Sequence, residues 1–189
     1  LIYQNLRTIS FLPSVKKIDR HGANLNQDGK QSIQQLYNNL ASNVAVSEVY
    51  VVPESLNPDV IDPVTKVAEV PTLMFDEMIV GNKKQDQAEA ATPEDPNKPE
   101  EVEIYEYRLL QEQMKWLRAH ASSFKDIKGM DIPFISGREV ITCDNSTYDT
   151  TRVDADRSGL LLSVPFYGED DNLKGTVTAV ILTNAVKDM

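Results

Sequence analysis

A chain of 189 residues with 41% hydrophobic and 25% charged residues has the make-up of one globular domain with a substantial buried core. Its formal net charge of −10 argues against a nucleic-acid binder, which needs a basic face for phosphates, and against an anionic membrane surface as partner. The single cysteine, Cys143, excludes an internal disulfide and any thiolate-rich metal site.

In chain order, residues 1–20 read as a helix with Ile2, Leu6 and Ile9 on one face, and Pro13 is expected to kink or interrupt it. A polar turn, "LNQDGK", leads to a second helix with the stripe Ile33, Leu36, Tyr37 and Leu40. "VSEVYVV" (46–52) is rich in β-branched residues and stops at Pro53, the form of a buried strand. Four prolines, Pro53, Pro58, Pro63 and Pro71, predict a loop with little regular structure over that stretch, and "TLMFDEMIV" (72–80) leans to strand.

Residues 82–103 hold seven acids, three lysines and three prolines around one large aliphatic residue, Val102. Such a composition cannot offset its ordering entropy by burial, and it predicts a mobile acidic loop within a single domain spanning 1–189. The longest helix follows over 104–124, where Tyr107, Leu110, Met114, Leu117, Ala121 and Phe124 recur at three- and four-residue steps. "DIKGMDIP" closes it. Three strands are then expected at 138–143, 159–167 and 175–183, the last two joined through "GEDDNLK", with "NAVKDM" opening a final helix. The order of elements gives an α+β fold on a mainly antiparallel sheet.

Chemical motifs are sparse. Cys143 lies in a strand next to Asp144, which disfavours a thiolate, so it reads as a packing residue. His120 falls near the end of the long helix, where it complements the helix dipole, and with His21 it makes no metal triad. In "DADRSG", Asp154, Asp156, Ser158 and Gly159 fit positions of a calcium loop, but Pro165 stands where the bidentate glutamate belongs. No phosphate-cradling glycine loop, Gly-x-Ser-x-Gly elbow or His-Glu-x-x-His is present, and no metal or cofactor is expected. The longest apolar runs, such as "VTAVIL", are too short to span a bilayer.

The C-terminal third nevertheless has a pattern: "TYDTT", then "LLLSVPFYGEDDNLKG", then "GTVTAVIL". A tyrosine followed by an acid, an apolar strand ending Ser-x-Pro, a polar turn and a last apolar strand resembles Cache-type (PAS-like, PDC) extracytoplasmic sensor domains of bacterial transmembrane receptors. "LPSVKKID" and "VSEVYVVP" extend the resemblance over nearly the whole chain. The resemblance implies a PAS-like sheet with a long N-terminal helix and a second long helix packed on it. It implies a periplasmic domain of an inner-membrane receptor, a histidine kinase, diguanylate cyclase or chemoreceptor, that binds a small molecule and dimerises through its N-terminal helix. Any enzymatic output would then lie in a cytoplasmic part.

Residue by residue, Tyr148 resembles the family's pocket tyrosine, and Asp149, Tyr50 and Ser163 join it as expected ligand-binding positions. Arg152 and Arg157 either meet an anionic ligand, since guanidinium forks suit carboxylates, or pair at the surface with Asp149, Asp154 or Asp156. Many amino-acid-binding members place an aspartate in the last strand; here the matching residue is Val180, and the family's arginine-x-tryptophan pair is missing, the single tryptophan being Trp116. A carboxylate without an amine is therefore the expected ligand. The competing classes are a soluble hydrolase using Cys143 or a carboxylate pair, and a protein-interaction module acting through the acidic loop.

Overall fold

The computed structural model of the chain describes residues 1–43, 46–76, 99, 101–127, 135–141 and 158–183. Helix α1 (Ile2–Phe11) buries Leu6 and Ile9, as their spacing predicts. It ends at Leu12, which turns extended (φ −58°, ψ 130°) because a residue before proline is pushed out of the helical region. Pro13 then opens α2 (Pro13–Lys16), a position where its missing N–H costs nothing. The single helix expected over 1–20 is thus two short ones, with no helix beyond Lys16.

A turn built on Asp19 follows. Its carboxylate accepts the N–H groups of His21, Ala23 and Asn24, and Gly22 supplies the left-handed backbone (φ 68°) that a side chain rarely adopts. Asn26 caps α3 (Gln27–Asn43) by accepting from Gly29 N at 2.8 Å. That helix buries Ile33, Tyr37 and Leu40.

Among the described residues five strands form one sheet: β1 (Val46–Pro53), β2 (Leu73–Phe75), β3 (Ile135–Ile141), β4 (Ser158–Tyr167) and β5 (Leu173–Leu182). The order is β2-β1-β5-β4-β3 and every pairing is antiparallel, which gives the α+β class. β3 begins three residues before the expected Arg138, and Cys143 lies outside the described residues. Ser158 and Gly159, read as calcium-loop positions, are ladder residues of β4.

Helix α4 (Glu101–His120) starts inside the stretch expected to be a mobile loop, so residues 101–103 are helical; acids suit the first turn of a helix. It ends four residues early. Ser123 instead caps a short 3₁₀ turn (Phe124–Asp126), accepting from Lys125 N while Asp126 accepts from Ser123 N. The rest of the acidic stretch, except Pro99, and the expected helix at "NAVKDM" lie outside the described residues.

Both sheet faces are covered. On one, Val49, Val51, Val164, Val177 and Ala179 pack against Leu6, Ile9, Ile33 and Leu40 of the N-terminal helices. On the other, Tyr50, Val52, Leu161 and Val180 pack against Tyr107, Leu110, Met114 and Leu117 of α4. The strand alternation of period two sorts each side chain to its core.

The proline-rich segment after β1 lacks long regular structure, as expected, yet it is firmly tied down. Arg108 bonds Asp59, Arg118 pairs with Glu54, Arg20 donates to Val70 O and faces Glu69, and His21 meets Asp62 at 2.7 Å.

Candidate functional site: a polar band under helix α4

Polar side chains cross the α4 core in one row. Tyr50 of β1 pairs with Thr178 of β5, and Thr178 pairs with Ser163 of β4, so the three lie side by side across the sheet. All three are wholly buried. Ser163 Oγ donates to Gln113 Oε1 at 2.5 Å and sits 2.7 Å from Thr178 Oγ1, which lies 3.2 Å from Thr176 Oγ1. At the β1 end, the Tyr50 hydroxyl donates to Glu106 Oε2 at 3.0 Å, and the Tyr50 ring meets that of Tyr107 edge-on at 6.0 Å.

Helix α4 supplies the lid of this band through Glu106 and Gln113, which sit at i and i+7 on its inward face with Leu110 and Leu117. Glu106 is 1% exposed and Gln113 7%. Each uses only part of its bonding capacity: Glu106 Oε1 and Gln113 Nε2 have no hydrogen-bond partner among the described residues. Buried polar atoms are almost always bonded, because an unbonded one forfeits its hydration without return.

The electrostatics are acidic. Burial raises the Glu106 carboxyl to about 8, with the neighbouring Glu48 and then Glu103 adding repulsion and the Tyr50 hydrogen bond opposing them. Near neutral pH Glu106 is therefore mostly a protonated acid. Glu48, 1% exposed, stands on the same face of β1 as Tyr50, directly across from Val180. The last strand lacks an acid at Val180, but the neighbouring strand provides one opposite it.

Of the ligand-binding positions expected from sequence, Tyr50 and Ser163 are brought together in this row. Tyr148, Asp149, Arg152 and Arg157 lie outside the described residues. Glu48, Glu106, Gln113 and Thr178 were not read from sequence as site residues, although a signal was present. Glu48 shares its alternation with Tyr50, and Glu106 and Gln113 occupy helix positions on the apolar stripe of α4, where a polar residue is unexpected.

Clefts with described walls lie elsewhere. One opens among Phe11, Phe124 and Tyr167, and another lies between Arg20, Glu54 and Lys174. His120 ends α4 at the surface, stacked on Trp116 at 4.3 Å. Among the described residues no three His, Cys, Asp or Glu side chains group to hold a metal ion, and no helix is long and apolar enough to cross a membrane. Comparison of the chain with protein-family models, with curated proteins and with solved structures produced no match.

Proposed function

We propose that this chain is a ligand-sensing domain of PAS-like, Cache type, acting as the periplasmic part of a membrane-anchored bacterial receptor. The observation that carries the reading is the buried polar band, in which Glu106 and Gln113 keep open bonding atoms above the row Tyr50–Thr178–Ser163. A chain optimised for stability alone would fill this region with apolar side chains, since partly satisfied polar networks destabilise a core. Two of the band's residues, Tyr50 and Ser163, are among the six ligand-binding positions expected from sequence; the other four lie outside the described residues. The antiparallel order β2-β1-β5-β4-β3, with N-terminal helices on one face and α4 on the other, supports the PAS-like architecture.

The sheet also offers a route for a signal. Thr178 belongs to the band, while its neighbours Val177 and Ala179 pack on the opposite face with Leu6 and Ile9 of α1. A ligand that shifts β5 by acting on Thr178 changes the seat of α1, and a population shift needs only such differential contact. A homodimer through α1 would use its outer residues Gln4, Arg7 and Thr8, because Leu6 and Ile9 already serve the protomer's own core.

The test is a thermal-shift screen of small carboxylates, amines and neutral amides on the purified chain, alongside fractionation of native cells. The reading expects a saturable rise in melting temperature with one chemical class, and the parent protein in the inner-membrane fraction. A chain that no compound stabilises, from a parent found wholly in the soluble fraction, contradicts it.

A further inference from the structure

We propose that the cleft among Phe11, Phe124 and Tyr167 is a second binding site, for a short aliphatic monocarboxylate whose tail lies between the rings and whose carboxylate meets Lys16. The cleft shares no lining residue with the band under α4, so the proposal goes beyond the sensing reading and does not depend on it.

The walls come from distant parts of the chain. Phe11 ends α1, Lys16 ends α2, Phe124 opens the 3₁₀ turn after α4, and Tyr167 ends β4. The Phe11 and Phe124 rings meet edge-on at 6.2 Å, and Phe124 meets Tyr167 at 5.5 Å. Hydrogen bonds fix this frame. The Tyr167 hydroxyl donates to Ala121 O at 2.9 Å, Phe124 N to Asp171 O at 2.8 Å and Leu173 N to Ser122 O at 2.8 Å. The cleft is therefore preformed, which spares a ligand the cost of ordering its walls.

Charge decides the headgroup. In this acidic chain Lys17, Arg20, Arg108, Arg118 and Lys125 each meet an acid. Lys16 is half-buried, and among the described residues it meets none. Its ammonium stands 5.4 Å from the Phe11 ring centre, and the guanidinium of Arg7, also half-buried, stands 5.7 Å from the same ring. A ring face attracts a cation but does not neutralise it. Asp171, the acid on the cleft's own wall, faces Lys125 at 3.9 Å. With Glu169 and Asp170 along the groove outside, it repels a doubly charged anion, so a single negative charge fits.

Size decides the tail. The cleft holds about 60 Å³, roughly twice the share of one water in the liquid, which is room for about two or three carbon atoms and not for a ring. Lys16 and Gly168 also line the open groove beyond, which puts the ammonium at the mouth. A carboxylate there keeps part of its hydration while the apolar tail alone is buried. Phe11 packs on the N-terminal core and Tyr167 bonds the end of α4, so a bound acid bridges the layers on the two sheet faces.

NMR titration of the folded chain tests this, read on the aromatic ring resonances. The probes are propanoate and butanoate; propylamine, propanamide, benzoate and succinate are the controls. The expected result is saturable binding of the two acids that shifts the Phe11, Phe124 and Tyr167 rings, with every control weaker by about tenfold or more, the worth of a charge-assisted hydrogen bond. Lys16→Met, with its melting temperature measured to confirm folding, weakens butanoate by a similar factor, whereas Lys16→Arg retains most of the affinity. Phe124→Leu weakens both acids and keeps the preference for acid over amine. Butanoate binding unchanged in Lys16→Met, propylamine or benzoate binding as well as butanoate, or no response to either acid overturns the proposal. Each of these results leaves the sensing reading standing, because that reading is decided by variants of the band and not of this cleft.

Discussion

The Tyr50 hydroxyl donates to Glu106 Oε2 at 3.0 Å across 56 positions of sequence, joining the first strand to the long helix inside the core. Among the described residues, this bond holds the Glu106 carboxyl down against burial and Glu48. Tyr50→Phe should therefore push that group further up. The variant should lose about 1 kcal/mol of stability in urea unfolding at pH 7, the usual worth of a buried hydrogen bond.

The pH dependence of stability has a definite sign on the alkaline side. Glu106 titrates near 8 when folded against 4.5 unfolded, so the folded chain binds the extra proton between those values. Where the native state holds more protons, stability falls as pH rises. Calorimetry should show the wild type losing stability from about pH 4.5 to 8 and no further loss from this group above that. Glu106→Gln should flatten the window and exceed the wild type at pH 8.5, by roughly a few kcal/mol.

On the acid side the sign reverses. The Asp62 carboxyl is lowered to about 2 by the His21 hydrogen bond first, then by N–H groups of Val64 and Thr65. Its contribution is complete above its ordinary value of 3.8 and is lost as pH falls from there toward 2. Asp62→Asn should weaken the anchorage of the 54–70 segment at neutral pH and remove its acid sensitivity. Limited proteolysis read by mass spectrometry would locate early cuts in that segment.

Gly175 is required by close packing. A Cβ there would lie 2.0 Å from Val52 O and 2.6 Å from the Phe166 ring, and neither backbone nor buried ring can retreat cheaply. Gly175→Ala should destabilise by about 3 kcal/mol, the upper part of the usual overpacking range. Gly168→Ala, where the near atom is the mobile Asp170 carboxylate, should cost less.

The helices and strands were largely legible in sequence because their periodicities are clean. Leu6 with Ile9, Ile33 with Leu40, and Leu110 with Leu117 all lie where the stripes place them. Helix ends were less legible, since they depend on local competitors: Pro13 and the Ser123 capping box stop helices that the apolar stripe would continue. Of the described band, Tyr50 and Ser163 were visible in sequence. Glu106 and Gln113 were not, because a periodicity argument treats a polar residue on an apolar stripe as noise. Only the register that sets Tyr50, Thr178 and Ser163 in line reveals what those two side chains cover.

Binding of a small molecule in this band is tested by comparing ligand-induced thermal shifts in the wild type and in Ser163→Val. Ser163 is wholly buried and bonded to Gln113, so the change alters the band while leaving the surface clefts intact. At 100 times its dissociation constant a ligand stabilises by about 2.7 kcal/mol, or roughly 5–10 °C for a domain of this size. A rise of that size is expected in the wild type and one of less than about 2 °C in the variant at the same concentration. An equal rise in both proteins would place the ligand elsewhere and contradict it.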